Sequence, residues 1–393
     1  MKVHICLMSD QLLANYLPAK QLRPEHVLIV NTALTLGKKR ESYFSVLLDT
    51  LGISSENAEH QAPVNSYDEL QKYFAQLRDW VLTKGWQDIT LNITGGTKLM
   101  SLAAYQCFKD VVDQIIYLDT FNNHIQDIKN NSFTSLQDLL TADDYLFVNG
   151  VNAGEYSNQS SDWVERISKR QLLTKRFARF VENKANEWFI GKLNSMASAS
   201  LYNGAHNVLC LKDEAKKFDK KLFGEPQSLI QACHDFGLLE YDGNRTIKFD
   251  NVDAAQYLNG IWLEEYVFLL AKELGLADVR CSQRIEWQGE RRANKAVKNE
   301  IDIVLVHNNR MLIIECKTSD LDNHNTDSQG IIYKLDSIAK DLGGLYGTLW
   351  LLSARPIDRQ DILDRAHTQK IEVIHGDQIS GLKEKIMKWA KLA

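Results

Sequence analysis

Two apolar runs in the segment NEIDIVLVHNNRMLIIECK flank His307-Asn308-Asn309-Arg310, and Asp302, Glu315 and Lys317 interrupt them. Asparagine tolerates positive φ, so Asn308-Asn309 suits a two-residue hairpin turn. His307 then pairs with Arg310, which sets Asp302 opposite Glu315 and Glu300 opposite Lys317. Side chains alternate with period two, so all four share one face. Otherwise both faces are apolar: Val304, Val306 and Ile313 on one, Ile301, Ile303, Leu305, Leu312 and Ile314 on the other. Strands covered on both sides are central. Two carboxylates facing each other there repel and desolvate at a cost of several kcal/mol. A hard divalent cation removes that cost, and few carboxylate ligands suit Mg2+ or Mn2+. A neighbouring lysine can stabilise a pentavalent phosphate or help activate water, the chemistry of phosphodiester hydrolysis.

The elements around this hairpin follow from periodicity. A helix, GIWLEEYVFLLAKELG, opens at Gly260 and ends at Gly275. Strands are expected near Val279–Trp287, Glu300–His307 and Met311–Lys317, then a helix near Ile331–Leu342 and a strand GTLWLLSA. Residues 260–393 thus form an α/β domain. The run RRANKAVK, starting with Arg291 and Arg292, precedes the catalytic strands and suits contact with a phosphate backbone.

Residues 1–150 alternate short apolar runs (KVHICLM, HVLIV, DITLNIT, QIIYLDT) with amphipathic stretches near 10–22, 38–51, 66–84 and 97–110. That alternation implies a largely parallel sheet with helices on both faces, a Rossmann-like domain. NHIQDI and DYLFVN read as peripheral strands. The polar stretch VNGVNAGEYSNQSSD breaks the pattern and marks a boundary. Residues 151–259 are mostly helical. Near their end SLIQACHDFGLLEYDGNRTIKFD reads as a helix, then two strands about an Asp242-Gly243-Asn244 turn. A winged-helix-like module and a plain helical linker both remain open.

Composition bounds the partners. At 393 residues, 44% hydrophobic and 25% charged, the chain can bury a sizeable core over two or three domains. None of the six cysteines forms a CxxC pair, so a zinc site or disulfide framework is not expected and a reducing cytoplasm is. The start MKVHICLMSDQLL lacks a signal-peptide pattern, and no stretch approaches a membrane span. Net charge is −5, but it is uneven: residues 161–221 hold 13 Lys+Arg against 7 Asp+Glu.

GxGxxG and GxxxxGK[ST] are both absent, which weakens a dinucleotide or ATP reading. NITGGTKLM does occur, straight after a strand and opening a helix. Gly95 and Gly96 permit close backbone approach, and the amides of Gly96, Thr97 and Lys98 lie at a helix N-terminus. With Thr94 before them and the lysine alongside, this is a phosphate site. Ser9, Asp10 and Gln11, at the exit of the first strand, line the same sheet edge, where ligands bind.

The hairpin constellation resembles the PD-(D/E)xK nuclease superfamily over roughly residues 260–390. The resemblance implies Asp302 and Glu315 as metal ligands, the Cys316 carbonyl as a backbone ligand and Lys317 as the catalytic lysine. It also implies a third carboxylate from the preceding helix, Glu264, with Glu265 as competitor, and a Gln-x-x-x-Tyr substrate pair, Gln329 and Tyr333. The usual proline before the acidic residue is replaced by NEID. With the GGTK turn and the SDQ loop, the whole chain resembles CARF (CRISPR-associated Rossmann fold) proteins fused to such a nuclease. That likeness implies a homodimer with one symmetric pocket for a cyclic oligoadenylate, the tetra-adenylate foremost. It further implies ligand-activated, metal-dependent cleavage of DNA, RNA or both in type III CRISPR antiviral defence. Two other readings compete: a CARF transcription regulator with an inert nuclease-like domain, and a ligand-independent repair or restriction nuclease.

Overall fold

The computed structural model describes residues 1–64, 66–287, 298–323, 328–342 and 347–392. Two compact units divide it: one built from Met1–Asn152, the other from Ala153–Glu286, Ala296–Gly343 and Gly347–Ala393. The division falls inside the polar stretch VNGVNAGEYSNQSSD.

The first unit is a seven-stranded sheet. Its strands are β1 (Lys2–Leu7), β2 (His26–Val30), β3 (Ser54–Asn57), β4 (Gln87–Asn92), β5 (Gln114–Asp119), β6 (His124–Asp127) and β7 (Ser132–Ser135). They lie in the order β3-β2-β1-β4-β5-β6-β7. The first five run parallel, and β6 and β7 return antiparallel at one edge. β1 and β2 bury all but their first residue and β4 its last four, because both faces are covered, the pattern of a parallel interior. The helix Tyr67–Thr83 buries Leu70, Phe74, Leu77 and Val81, spaced by three and four residues, and Ser66 caps it through Glu69. Chain order reverses between β1 and β4, so their carboxyl ends form the crevice where such sheets bind ligands.

The segment DYLFVN corrects a sequence expectation: it is part of a helix, Ala142–Val148, not a strand. Thr141 and Asp144 form a reciprocal capping box, each side chain accepting the other's backbone N–H. Two satisfied N-terminal donors outweigh the β-propensity of Tyr, Phe and Val.

In the second unit, five strands run in the order Ile371–His375, Gly347–Ser353, Arg310–Lys317, Lys298–His307, Asp278–Trp287. The first two pairings are parallel and the last two antiparallel. Helices of the middle segment share one hydrophobic core with these strands: Phe177, Phe189 and Leu229 join Trp262, Ile303, Ile314 and Leu352. A buried ion pair reinforces that junction. Arg170, on helix Ser161–Phe180, donates from Nε and Nη2 to Glu265 and from Nη1 to Asp253, and its guanidinium lies over the Tyr257 ring. Helix Gly224–Asp235 is followed by the hairpin Leu239–Tyr241 and Thr246–Phe249, with Lys216–Lys217 as a third strand. The Asp242 carboxylate closes the turn by accepting three backbone N–H groups. A helix-then-hairpin module is therefore present, packed into the core of the second unit.

Candidate active site

The turn that sets the register is built as its residues dictate. Asn308 and Asn309 adopt φ of 50° and 53°, values that two-residue hairpins of the primed type require. Pairing then runs from His307↔Arg310 to Ile303↔Ile314. The ladder stops there, one step short of the expected Asp302–Glu315 pair, and the Asp302 carboxylate accepts the Cys316 N–H at 2.8 Å instead. Strand Arg310–Lys317 meanwhile pairs on its other side with Gly347–Ser353 along its whole length. The candidate corner is thus where one strand leaves its partner while still held by the other.

Three oxygens converge at this corner on the Lys317 ammonium. Glu315 Oε1 lies 2.8 Å from Nζ, Asp302 Oδ2 3.5 Å, and the Cys316 carbonyl 3.1 Å. These oxygens belong to the residues that sequence resemblance names as metal ligands. Their joint hold on one cation tests the fit of a divalent ion: two carboxylates and a carbonyl are a hard, anionic donor set. Among the described residues no group of three or more His, Cys, Asp or Glu side chains is placed to hold a metal ion.

Electrostatics report the same crowding of negative charge. Burial and the neighbouring Glu315 push the Asp302 carboxyl up to about 6, against help from Lys317 and the Cys316 N–H. Glu264 is raised well above the carboxylate range, first by burial and then by Asp302 and Glu300. For Lys317, burial works against the charge, but Asp302 and Glu315 more than offset it and raise its pKa.

Glu264 and Glu265 have separate fates on helix Trp262–Glu273. Glu265 is fully buried against Arg170. Glu264 points to the other side, accepts from Ser282 Oγ at 3.4 Å, and lines a cleft of about 500 Å3 with Lys317, Thr318 and Gly260. The helix is registered by a backbone feature that sequence periodicity missed. Tyr257–Ile261 is a π-helical turn, and Gly260 within it has φ 146°. A Cβ there would stand 2.5 Å from Thr318 Oγ1, which donates to the Asn259 carbonyl at 3.2 Å. Gly260 thus lets the residue after Lys317 dock on the helix that presents Glu264. π-Bulges of this kind recur at functional sites.

Arg291, Arg292 and the Gln329 side chain lie outside the described residues. Tyr333 is half exposed with Arg365 over its ring at 4.8 Å. Its neighbour Lys334 reaches Glu315 instead, 3.0 Å from both carboxylate oxygens. Sequence reasoning missed Lys334, since nothing in QGIIYKL distinguishes it from a solvated lysine.

In the first unit the GGTK turn and the SDQ loop both stand at the β1/β4 crevice. A Cβ on Gly95 would lie 2.1 Å from the Leu7 carbonyl, and Gly96 has φ 74°. Both glycines therefore press the turn onto the end of β1. Thr94 is engaged internally, its hydroxyl donating to Asn92 and accepting from the Leu118 N–H. Thr97 caps helix Lys98–Phe108 through Met100. Lys98 is exposed at the first turn, where backbone N–H groups lack intrahelical partners. Opposite, Ser9 and Gln11 form a local turn, while Asp10 pairs with Lys38 at 2.6 Å.

A Rossmann-like sheet with its switch point open, followed by a sheet bearing a D…ExK corner, defines a CARF protein fused to a PD-(D/E)xK nuclease. Comparisons with known proteins agree. Residues 3–145 belong to the family described as the Card1 CARF domain and residues 251–393 to the Card1-like endonuclease domain, together most of the chain. Can2 from Sulfobacillus thermosulfidooxidans, solved with cyclic tetra-adenylate, is similar over 99% of this chain and 97% of its own, at 25% identity and TM-score 0.77. Protein VC1899 from Vibrio cholerae has the same fold over 99% of this chain and 98% of its own, at 21% identity and TM-score 0.79. A type III CRISPR defence DNA nuclease activated by cyclic oligoadenylate shares the fold at 15% identity and TM-score 0.52, over 90% of this chain and 45% of its own. A comparison with curated proteins found no match. No described helix is long and apolar enough to cross a membrane.

Proposed function

We propose that the chain is a metal-dependent nuclease switched on by a cyclic oligoadenylate, the tetra-adenylate foremost, in type III CRISPR antiviral defence. The observation that carries the reading is the convergence of Asp302, Glu315 and the Cys316 carbonyl on one cation position. Those three groups would hold Mg2+ or Mn2+, with Glu264 a further carboxylate on the wall of the same cleft. The ion, when bound, supplies Lewis-acid charge to the phosphate and acidifies the attacking water. Lys317, displaced from the ligand oxygens, places its ammonium on the developing phosphorane charge. Lys334 offsets the charge of Glu315 and turns to an adjacent phosphate. The CARF unit receives the activator on the amides of Gly96, Thr97 and Lys98 with the Lys98 ammonium, and Ser9, Asp10 and Gln11 flank it.

A homodimer supplies the two-fold pocket that a ring-shaped ligand fills, and six cysteines free of disulfides fit a reducing cytoplasm. The experiment is plasmid nicking with Mn2+, with and without cyclic tetra-adenylate. Nicking that needs both supports the reading. Nicking indifferent to the ligand points to a repair or restriction nuclease, and none at all to an inert domain.

A further inference from the structure

A second cavity, of about 600 Å3, lies in the same unit as the cleft and has no role in the chemistry above. Phe218 forms its floor, stacked on Phe189 with centroids 5.5 Å apart. Trp188 and Phe223 also line it, and leave 55% and 67% of their surface exposed. Large aromatics so exposed gain little from folding, and two of them lining one cavity suit a flat ring. Lys192, Lys220 and Lys221 stand on the rim. Asp219 neutralises part of that charge through Lys192 at 3.2 Å, while the Lys221 ammonium lies 5.6 Å from the Phe223 ring. Residues 161–221 carry a formal excess of six positive charges, so the cavity sits in the basic part of an acidic chain.

One helix connects this slot to the cleft. Trp188 and Lys192 lie one turn apart near the start of Glu187–Ser200. From its middle, Asn194 donates to the Thr318 carbonyl at 3.1 Å, next to Lys317. Leu201, just past its end, lines the cleft with Glu264 and Lys317. At about 1.5 Å per residue, Trp188 and Leu201 are about 20 Å apart along the axis. A strand lying along the helix reaches from one to the other in a few nucleotides.

We infer that this slot takes an unstacked base of a single-stranded nucleic acid whose backbone continues to the cleavage corner. Aromatic faces accept a base only when it has left its neighbours, and lysines around them track the phosphates, which is how single strands are held without sequence preference. The inference rests on the nuclease reading for the position of the corner, but its test reads binding alone. Full-length Lys317→Ala protein, with cyclic tetra-adenylate and Ca2+ present, is titrated with labelled oligothymidylate and oligouridylate and with a duplex of equal length. Trp188→Ala and Phe223→Ala should each weaken single-strand binding about tenfold, Trp188→Tyr should restore it, and duplex affinity should hold. Both side chains are exposed, and unchanged melting temperatures confirm the fold. Parental single-strand affinity in both alanine variants, or equal loss on duplex, overturns the inference. So does a shift from dimer to monomer in sedimentation, which makes the slot a subunit contact. Intact binding with no metal-dependent cleavage by the wild-type chain removes the nuclease reading and leaves the slot.

Discussion

Asp302 is held charged in a place that disfavours charge, and that fixes what its substitution does. Its folded pKa, about 6, lies above the ordinary 3.8. For a carboxyl raised in this way, the contribution to stability is fully present below the unfolded value and lost as pH rises through the folded one. Asp302 should therefore contribute a loss of stability to the metal-free chain between about pH 4 and about pH 6, and Asp302→Asn should make the pH dependence of melting curves taken with EDTA less negative over that window. Identical slopes would mean that the carboxylate is not strained. Asp302→Asn and Glu315→Gln should nevertheless abolish cleavage and weaken Mn2+ binding, because each removes a hard anionic ligand. Lys317→Ala should abolish cleavage while metal binding persists, since its ammonium competes for the same oxygens. Wild-type turnover in that variant would displace the whole site. The two adjacent glutamates separate chemistry from stability. Glu264→Gln should cost activity with little change in melting temperature. Glu265→Gln, which leaves Arg170 partly unpaired in the core, should destabilise by about 3–5 kcal/mol in denaturant titrations. The D…ExK corner was legible because a hairpin register can be computed from its turn. Lys334 was not, since a lysine on a helix signals nothing until the fold aims it.

At the scale of elements, long apolar runs and strong caps could be read directly, and the exceptions have physical causes. β3 is the polar segment Ser-Ser-Glu-Asn on a sheet edge, where half-exposure removes the hydrophobic signal. The helix Ala142–Val148 was read as a strand because three β-formers hid a capping box. The turn Tyr257–Ile261 escaped because a π-bulge breaks the 3.6-residue period only locally and Gly260 looks like a helix start. That glycine carries the element-scale prediction. Gly260→Ala meets both a φ of 146° and a Thr318 hydroxyl at 2.5 Å. It should lower stability by about 1–3 kcal/mol and reduce cleavage further than that loss explains. Adding Thr318→Ala removes the clash but not the backbone strain, so the double variant should recover only part of the activity. Full cleavage by Gly260→Ala would mean that the turn does not register Glu264 against the catalytic corner.

At the scale of the whole molecule, the two sites lie in different units of one chain, so activation requires a free energy that links them. A ligand shifts the active population only through unequal affinity for the two states, and the coupling is reciprocal. A two-fold ring shared between two CARF units would favour one relative orientation of the subunits. Such a preference can reposition the nuclease units without any contact to Glu315. Lys98 is where the activator's phosphate should register, so Lys98→Ala should blunt the rise in melting temperature that cyclic tetra-adenylate gives by mass action. The same linkage must run in the other direction. Nucleic acid bound to catalytically dead Lys317→Ala protein, with metal present, should tighten cyclic tetra-adenylate binding, by roughly 5- to 150-fold if the coupling is typical. Titrating the labelled ring with and without substrate measures it. Equal dissociation constants would show two tethered but independent units, and ligand-gated cleavage would then need a cause other than a shared conformational equilibrium.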